Sequence, residues 1–301
     1  NMELWIAITI GAAFFQTLRF ILQKLLSTST LSSAGATFAR FFYSAPLVVF
    51  FLSIYFTLTE TSFPATSLRY WVFALSGGLA QILATVCVVL LFKTRNFAVG
   101  TTFKKTEVIQ TALIGFLILG DSIGQAGLAI ILTGLIGVLL LSEMPEIRGD
   151  WFKRINNYPS KLGVLSGFLF GISAVCYRGA SLEIDSNDPL LRAGVTLACV
   201  TSAQLIGMAS WLRWFQPGQI SAVWAARRGA AWIGLTSMAG SFCWFTAYTL
   251  QNAAYVNALG QIELIFSLIA SVFFFKERIT KKELAGLSFL TISISGIVFL
   301  I

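Results

Sequence analysis

Two glutamates stand in apolar stretches where a charge is costly. Glu107 lies in KKTEVIQTALIGFLIL and Glu263 in NALGQIELIFSLIA. An ionisable residue inside a membrane span points to a ligand or a proton path by default. Each glutamate therefore reads as a ligand for a substrate amine or as a proton carrier. Each reads equally as a structural hydrogen-bonding group against a neighbouring helix. Lys104 precedes Glu107 by three residues, so on a helix the two share a face and can pair. Lys104 is either a cationic post for a substrate carboxylate or phosphate, or half of an intrahelical ion pair. Lys105 is expected to snorkel to the inner interface. Arg19 and Arg178 sit late in apolar runs, Arg40 and Arg192 early in others; all four are expected to snorkel or to gate.

Around these charges, Gln81, Gln110, Ser241, Trp244, Tyr248, Asn257 and Gln261 are the polar and aromatic residues that could shape a cavity. Trp244 and Tyr248 are four apart and share a helical face, which could hold an apolar or aromatic side chain by stacking and burial. The alternative for all of them is ordinary helix packing. A lysine post, polar hydrogen bonders and aromatic walls together suit a zwitterion with an apolar side chain. Catalytic chemistry is not indicated. The chain has no histidine, which removes Ser-His-Asp catalysis and histidine-bound metals or haem. The aspartates Asp121, Asp150, Asp185 and Asp188 fall at run ends or connectors, unlike the paired mid-span aspartates of an intramembrane protease. No phosphate-binding GxxxxGK[ST] loop occurs. Cys87, Cys176, Cys199 and Cys243 lie inside apolar runs and read as small core residues. We expect no catalytic residue, no metal, no cofactor and no enzyme activity.

The elements that must position these residues follow from composition. Of 301 residues, 56% are apolar and 11% charged, with a mean hydropathy of +0.81. An average soluble domain is about 25% charged. This excludes an ordinary soluble enzyme, a disordered chain and a nucleic-acid binder, and indicates a polytopic membrane protein. A spanning helix needs about 20 mostly apolar residues. Ten such runs occur, at 3–25, 34–58, 68–92, 97–119, 122–141, 161–182, 189–212, 229–250, 253–275 and 281–301. The first has neither the basic start nor the cleavage site of a signal peptide. Gly163, Gly167 and Gly171 recur at four-residue spacing, a pattern for close helix packing. Trp151, Tyr158 and Trp214 mark interfaces near run ends.

The polar connector 142–160 divides the chain into an N-terminal unit, 1–141, and a C-terminal unit, 161–301. Shifting the sequence by 156 positions matches Ala74 with Ala230, Gly78 with Gly234 and Cys87 with Cys243. It also matches Asn96 with Asn252, Ala98 with Ala254 and Glu107 with Glu263. A shift of 159 matches Gly127 with Gly286 and Gly137 with Gly296. Five spans per unit means that the second enters the membrane upside down. The expected fold is therefore all-α, with ten transmembrane helices as two inverted five-helix repeats. Such repeats are the architecture of secondary carriers, with the site at the midplane between them. We place it between spans one, three and four and spans six, eight and nine. Spans five and ten, rich in glycine, pack at the periphery and could support a homodimer. With the N-terminus outside, the inner connectors hold fourteen basic residues and the outer ones Arg69, with Arg192 just inside a span. The positive-inside rule thus puts both termini outside.

Glu107 is followed after fourteen residues by Asp121 in ILGD, and Glu263 after fourteen by Glu277 in FFFKERITKKELAG. This duplicated pattern resembles the EamA-type unit of the drug/metabolite transporter superfamily, and the resemblance extends over both halves. It departs from that pattern at Val108 and Leu264, where many members have proline, at Asp121 in place of glutamate, and at Lys276 in place of glycine. The resemblance implies a multi-pass protein of the bacterial inner membrane. It implies a transporter exporting amino acids, aromatic and other neutral ones favoured, or related small metabolites. Multidrug, sugar or other metabolite export by the same fold, or a channel-like pore, are the competing readings. The expected partners are a small-molecule substrate and the lipid bilayer, with no nucleic acid.

Overall fold

A computed structural model describes residues 2–29, 31–94, 103–141, 156–266, 268 and 279–301. Arg95, Asn96, Ala98, the connector stretch 142–155 with Arg148, Trp151, Lys153 and Arg154, and Lys276, Glu277 and Arg278 lie outside them, as does the side chain of Lys24. The described residues form helices and no strand. They are α1 (Met2–Ser29), α2 (Ser33–Thr59), α3 (Leu68–Phe92), α4 (Glu107–Leu119), α5 (Gln125–Leu141), α6 (Tyr158–Leu182), α7 (Pro189–Phe215), α8 (Gln219–Ala225), α9 (Arg227–Leu250), α10 (Ala253–Gly260) and α11 (Lys281–Leu300). Each of the ten apolar runs contains described helix. The short α8, in the connector after α7, has no counterpart in the sequence reading. Six of the described helices are long and apolar enough to cross a membrane.

Local chemistry sets the ends. Ser32, Ser67 and Asn157 each accept a hydrogen bond at their helix N-terminus, from Gly35, Tyr70 and Ser160. Asp188 caps α7 ahead of Pro189, whose missing N–H costs nothing in the first turn. Thr280 and Glu283 form a reciprocal capping box on α11. Gly120 ends α4 with a φ of 71°, so the Gly120 and Asp121 amides donate back to Phe116 and Gly115 carbonyls. That turn fixes where the Asp121 carboxylate points.

The packing is that of a multi-pass membrane protein. Small side chains fill the interior: Ala12, Ala13, Ala36, Ala74, Ala84, Ala193 and Ala247 are fully buried or nearly so. Large ones such as Leu79, Leu117, Ile206, Leu68 and Phe299 face outward. In lipid, outward leucine is at home and small residues let helices approach; in water, so much exposed apolar surface would drive association. Buried Thr9, Thr201, Thr246 and Thr249 satisfy their hydroxyls on carbonyls three or four residues back in their own helices.

The closest packing joins helices from opposite sides of the midpoint: α3 on α6, α1 on α9, α5 on α11, α2 on α7 and α9, and α4 on α6 and α10. The α5–α11 crossing is a glycine contact. A Cβ at Gly137 would stand 2.6 Å from the Leu290 nitrogen and 2.8 Å from the Gly286 oxygen. Gly134 meets Ser293, whose hydroxyl donates to the Ile130 carbonyl, in the same seam. Gly137→Leu should force this pair apart at a cost of about 1–3 kcal/mol, as for overpacked cores. Thermal unfolding in detergent, followed by tryptophan fluorescence, should show a lower midpoint; an unchanged midpoint would mean that the crossing is not held this way.

Candidate functional site

The two runs carrying the glutamates are not continuous helices. Helix covers Phe103 and Lys104, a turn covers 105–106, and α4 begins at Glu107. In the second half α10 ends at Gly260, a turn covers 261–262, and helix resumes at Glu263. The spans expected at 97–119 and 253–275 are thus interrupted, and the two interruptions lie 156 positions apart. Each turn leaves a glutamate at the start of a helical segment, where unpaired amides and the helix dipole favour negative charge.

Gly167 and Gly171 explain how the first break is held. A Cβ at Gly167 would stand 2.9 Å from the Lys104 carbonyl oxygen, and one at Gly171 3.0 Å from the Thr111 hydroxyl. The glycine stripe of α6 is the bed on which the interrupted helix lies. Gly260, which aligns with Lys104 at the 156-residue offset, serves the indole of Trp244 instead. A Cβ there would come within 2.4 Å of the ring. The asymmetry between lysine and glycine at this position lets an aromatic wall replace a cation.

A mostly enclosed cavity opens between these elements. It is lined by Gln16 and Arg19 of α1, Arg40 of α2, Gln81 of α3, Lys104 and Glu107, and Phe170 and Tyr177 of α6. Ser241, Trp244 and Tyr248 of α9, Asn257 of α10, and Gln261 and Glu263 complete it. Its free volume is about 40 Å³, room for roughly three water molecules. Of the sequence candidates, the structure brings together Gln81, Lys104, Glu107, Ser241, Trp244, Tyr248, Asn257, Gln261, Glu263 and Arg19. Gln110 stays outside and donates to the Thr106 hydroxyl. Arg178 stays outside as well. Gln16, Arg40, Phe170 and Tyr177 are lining residues that the sequence candidates for the cavity did not include.

Charges inside are mostly matched. Lys104 Nζ lies 2.9 Å from Glu107 Oε2 and stands over the Phe170 ring. The other Glu107 oxygen accepts from Asn257 Nδ2 at 3.3 Å, and Asn257 Oδ1 accepts from the Tyr248 hydroxyl at 2.8 Å. Trp244 stacks on Tyr248, ring centres 5.7 Å apart. Lys105 does not snorkel: it pairs with Glu263, which also accepts from Gln16 Nε2 at 3.2 Å. The turn at 105–106 points this lysine inward, where a continuous helix would have carried it elsewhere. Tyr177 donates to Gln81 Oε1 at 2.8 Å, and Gln204 donates to the same oxygen.

The arginines need a correction. Arg40 does not snorkel but is 2% exposed, held by three hydroxyls, Nε to Ser237 at 2.7 Å, Nη1 to Thr85 at 3.3 Å and Nη2 to Ser241 at 3.0 Å, and by the face of the Phe41 ring. Arg19 is 4% exposed, and its Nε and Nη2 have no hydrogen-bond partner among the described residues. Arg19 is deeper than expected because α1 runs on to Ser29, and Arg40 because its guanidinium is turned onto Ser237 and Ser241 of α9. Arg178 ties elements together. Its Nε donates to Asp121 at 2.9 Å and its Nη1 to the Tyr248 and Gln251 carbonyls at 2.8 and 2.9 Å. Nearby, Glu183 meets Arg69 and Ser67, and Tyr55 bonds Asp188, closing one end of the bundle.

With this geometry in hand, known proteins give two likenesses. The family model described as the EamA-like transporter family matches residues 160–299, 140 of the 301 residues. A solved crystal structure shares the fold over the whole chain: TM-score 0.72 at 13% identity, covering 100% of this chain and 98% of that one. No curated protein matches the sequence.

The Lys104–Glu107 pair is 10% and 13% exposed, so removing one member leaves a charge in a poorly solvated site. Such losses cost about 3–5 kcal/mol, whereas removing both partners can be nearly neutral. Glu107→Gln should therefore destabilise more than the double variant Lys104→Met/Glu107→Gln. A thermal double-mutant cycle in detergent reads the difference; additive effects would mean that the pair is not coupled.

Proposed function

We propose that the chain is a secondary transporter moving amino acids, or small carboxylate-bearing metabolites related to them, by alternating access through the central cavity. One observation carries this reading. An otherwise apolar bundle encloses a polar cavity lined by helices from both halves, at two helix interruptions in the same register. Interrupted helices around a midplane site are how carriers present backbone and charge to a substrate in lipid. The EamA-like match over 160–299 supports the same class.

The ten-span, inverted-repeat organisation belongs to this proposal. The helix contacts support it, since they occur in related pairs. Under exchange of the halves, α1 on α9 corresponds to α6 on α3, and α4 on α6 to α10 on α1. The contacts α2 on α7, α4 on α10 and α5 on α11 map onto themselves. On this reading the end tied by Arg178, Asp121, Tyr248 and Gln251 is the closed mouth. The basic bias of the opposite connectors makes it the outer one in a bacterial inner membrane, with export as the direction. The substrate's carboxylate would meet the unpartnered Arg19, and its amine the unpartnered Gln261 Oε1 and the Glu107 network. Trp244 and Tyr248 would pack its side chain. The glycine seam of α5 and α11 already pairs these helices within one chain, so a homodimer would use their outer faces.

Purified protein in proteoliposomes loaded with labelled amino acids tests this. Saturable release, slowed by unlabelled competitor inside and accelerated by substrate outside, is the expected result. Flux that neither saturates nor shows counter-exchange would replace the carrier with a pore. Arg178→Ala, which removes three ties at the closed mouth, should raise passive leak of the same solutes several-fold.

A further inference from the structure

The charge balance of the cavity is uneven. Among the described residues, four cations, Arg19, Arg40, Lys104 and Lys105, face two carboxylates, Glu107 and Glu263. Each carboxylate already holds a lysine. Arg40 meets three hydroxyls and the face of the Phe41 ring, none of which carries a counter-charge. A guanidinium has five N–H donors, and these hydroxyls take three. Arg19 stands over the Phe20 ring, and its Nε and Nη2 have no hydrogen-bond partner among the described residues. Buried charges are ordinarily paired, because desolvation without a partner is costly. Two uncompensated guanidiniums lining one cavity mean that the counter-charge is brought by what the cavity binds.

We propose that the site selects small organic anions carrying two ionised acid groups, and that Arg19 and Arg40 each receive one. This rests on the carrier reading and replaces its amino-acid substrate with a dianion. The planar N–H fork of arginine fits a carboxylate or a phosphate equally, in bidentate geometry. A dicarboxylate and a phosphomonoester therefore share the required chemistry. Lys104 is not the post, because Glu107 occupies it. A neutral amino acid would leave one guanidinium unmatched.

The test uses wild-type protein in proteoliposomes with labelled succinate, glycerol 3-phosphate and L-phenylalanine. The two dianions should be carried with at least tenfold higher kcat/KM than phenylalanine, and the better of them names the acid group. Arg19→Gln and Arg40→Gln should each lower dianion transport at least tenfold, and Arg19→Lys should restore part of the loss. Saturable phenylalanine transport without dianion transport would overturn the anion proposal and leave the carrier standing. Transport of none of the three would count against the carrier. Ligand-dependent thermal shifts of the wild-type protein then decide the anion proposal separately, and they do not depend on a variant folding. A rise with either dianion but not with phenylalanine supports it; no rise with either dianion overturns it.

Discussion

A charge inside a lipid-spanning bundle must find a partner there, because neither lipid nor alanine can solvate it. Most of this architecture follows from that constraint. Lys104 finds Glu107, Lys105 finds Glu263, and Arg178 finds Asp121 with two carbonyls. Each pairing requires a backbone that a straight helix does not supply. The turns at 105–106 and 261–262 offset the two lysines and bring each glutamate to the start of a helical segment. The left-handed Gly120 turns Asp121 back toward α6. The glycines follow from the same requirement, since Gly167 and Gly171 admit the interrupted helix and Gly260 admits Trp244.

The pairings differ in what they join. Lys104–Glu107 is local, spanning one helix break, and positions the cavity wall. Lys105–Glu263 and Asn257–Glu107 join the two interruptions to each other, so a shift of one break is felt at the other. Arg178 joins α6 to the α4–α5 turn and to the end of α9, at the rim. Local pairs thus shape the site while long-range pairs fix how the halves lean on each other.

Much of this was legible in the sequence. Ten apolar runs show where helices lie, the 156-residue offset picks out both glutamates, and the three-residue spacing of Lys104 and Glu107 anticipates their contact. Depth was less legible. Arg19 and Arg40 stand near the ends of apolar runs, yet α1 extends to Ser29, which carries Arg19 inward, and Arg40 is drawn onto the α9 hydroxyls of Ser237 and Ser241. The helix breaks were hidden for another reason. FKKTEV and LGQIEL contain no proline, and a turn made by tertiary hydrogen bonding and by glycines on another helix leaves no local signal. Hence the inward aim of Lys105, and the place of Tyr177 and Gln16 at the cavity, could not be read from their own segments.

The two halves use one backbone plan for different chemistry. At the offset of 156, Lys104 and Lys105 correspond to Gly260 and Gln261, so one break supplies two cations and the other supplies space and an amide. If the breaks were equivalent, the cavity would present symmetric walls and could not orient a ligand. Instead the lysines stand on one side of the cavity and the Trp244–Tyr248 stack on the other. The arginines show the same asymmetry: Arg178 is tied by three bonds at the rim, while Arg19 stays buried at the cavity with Nε and Nη2 unpaired among the described residues.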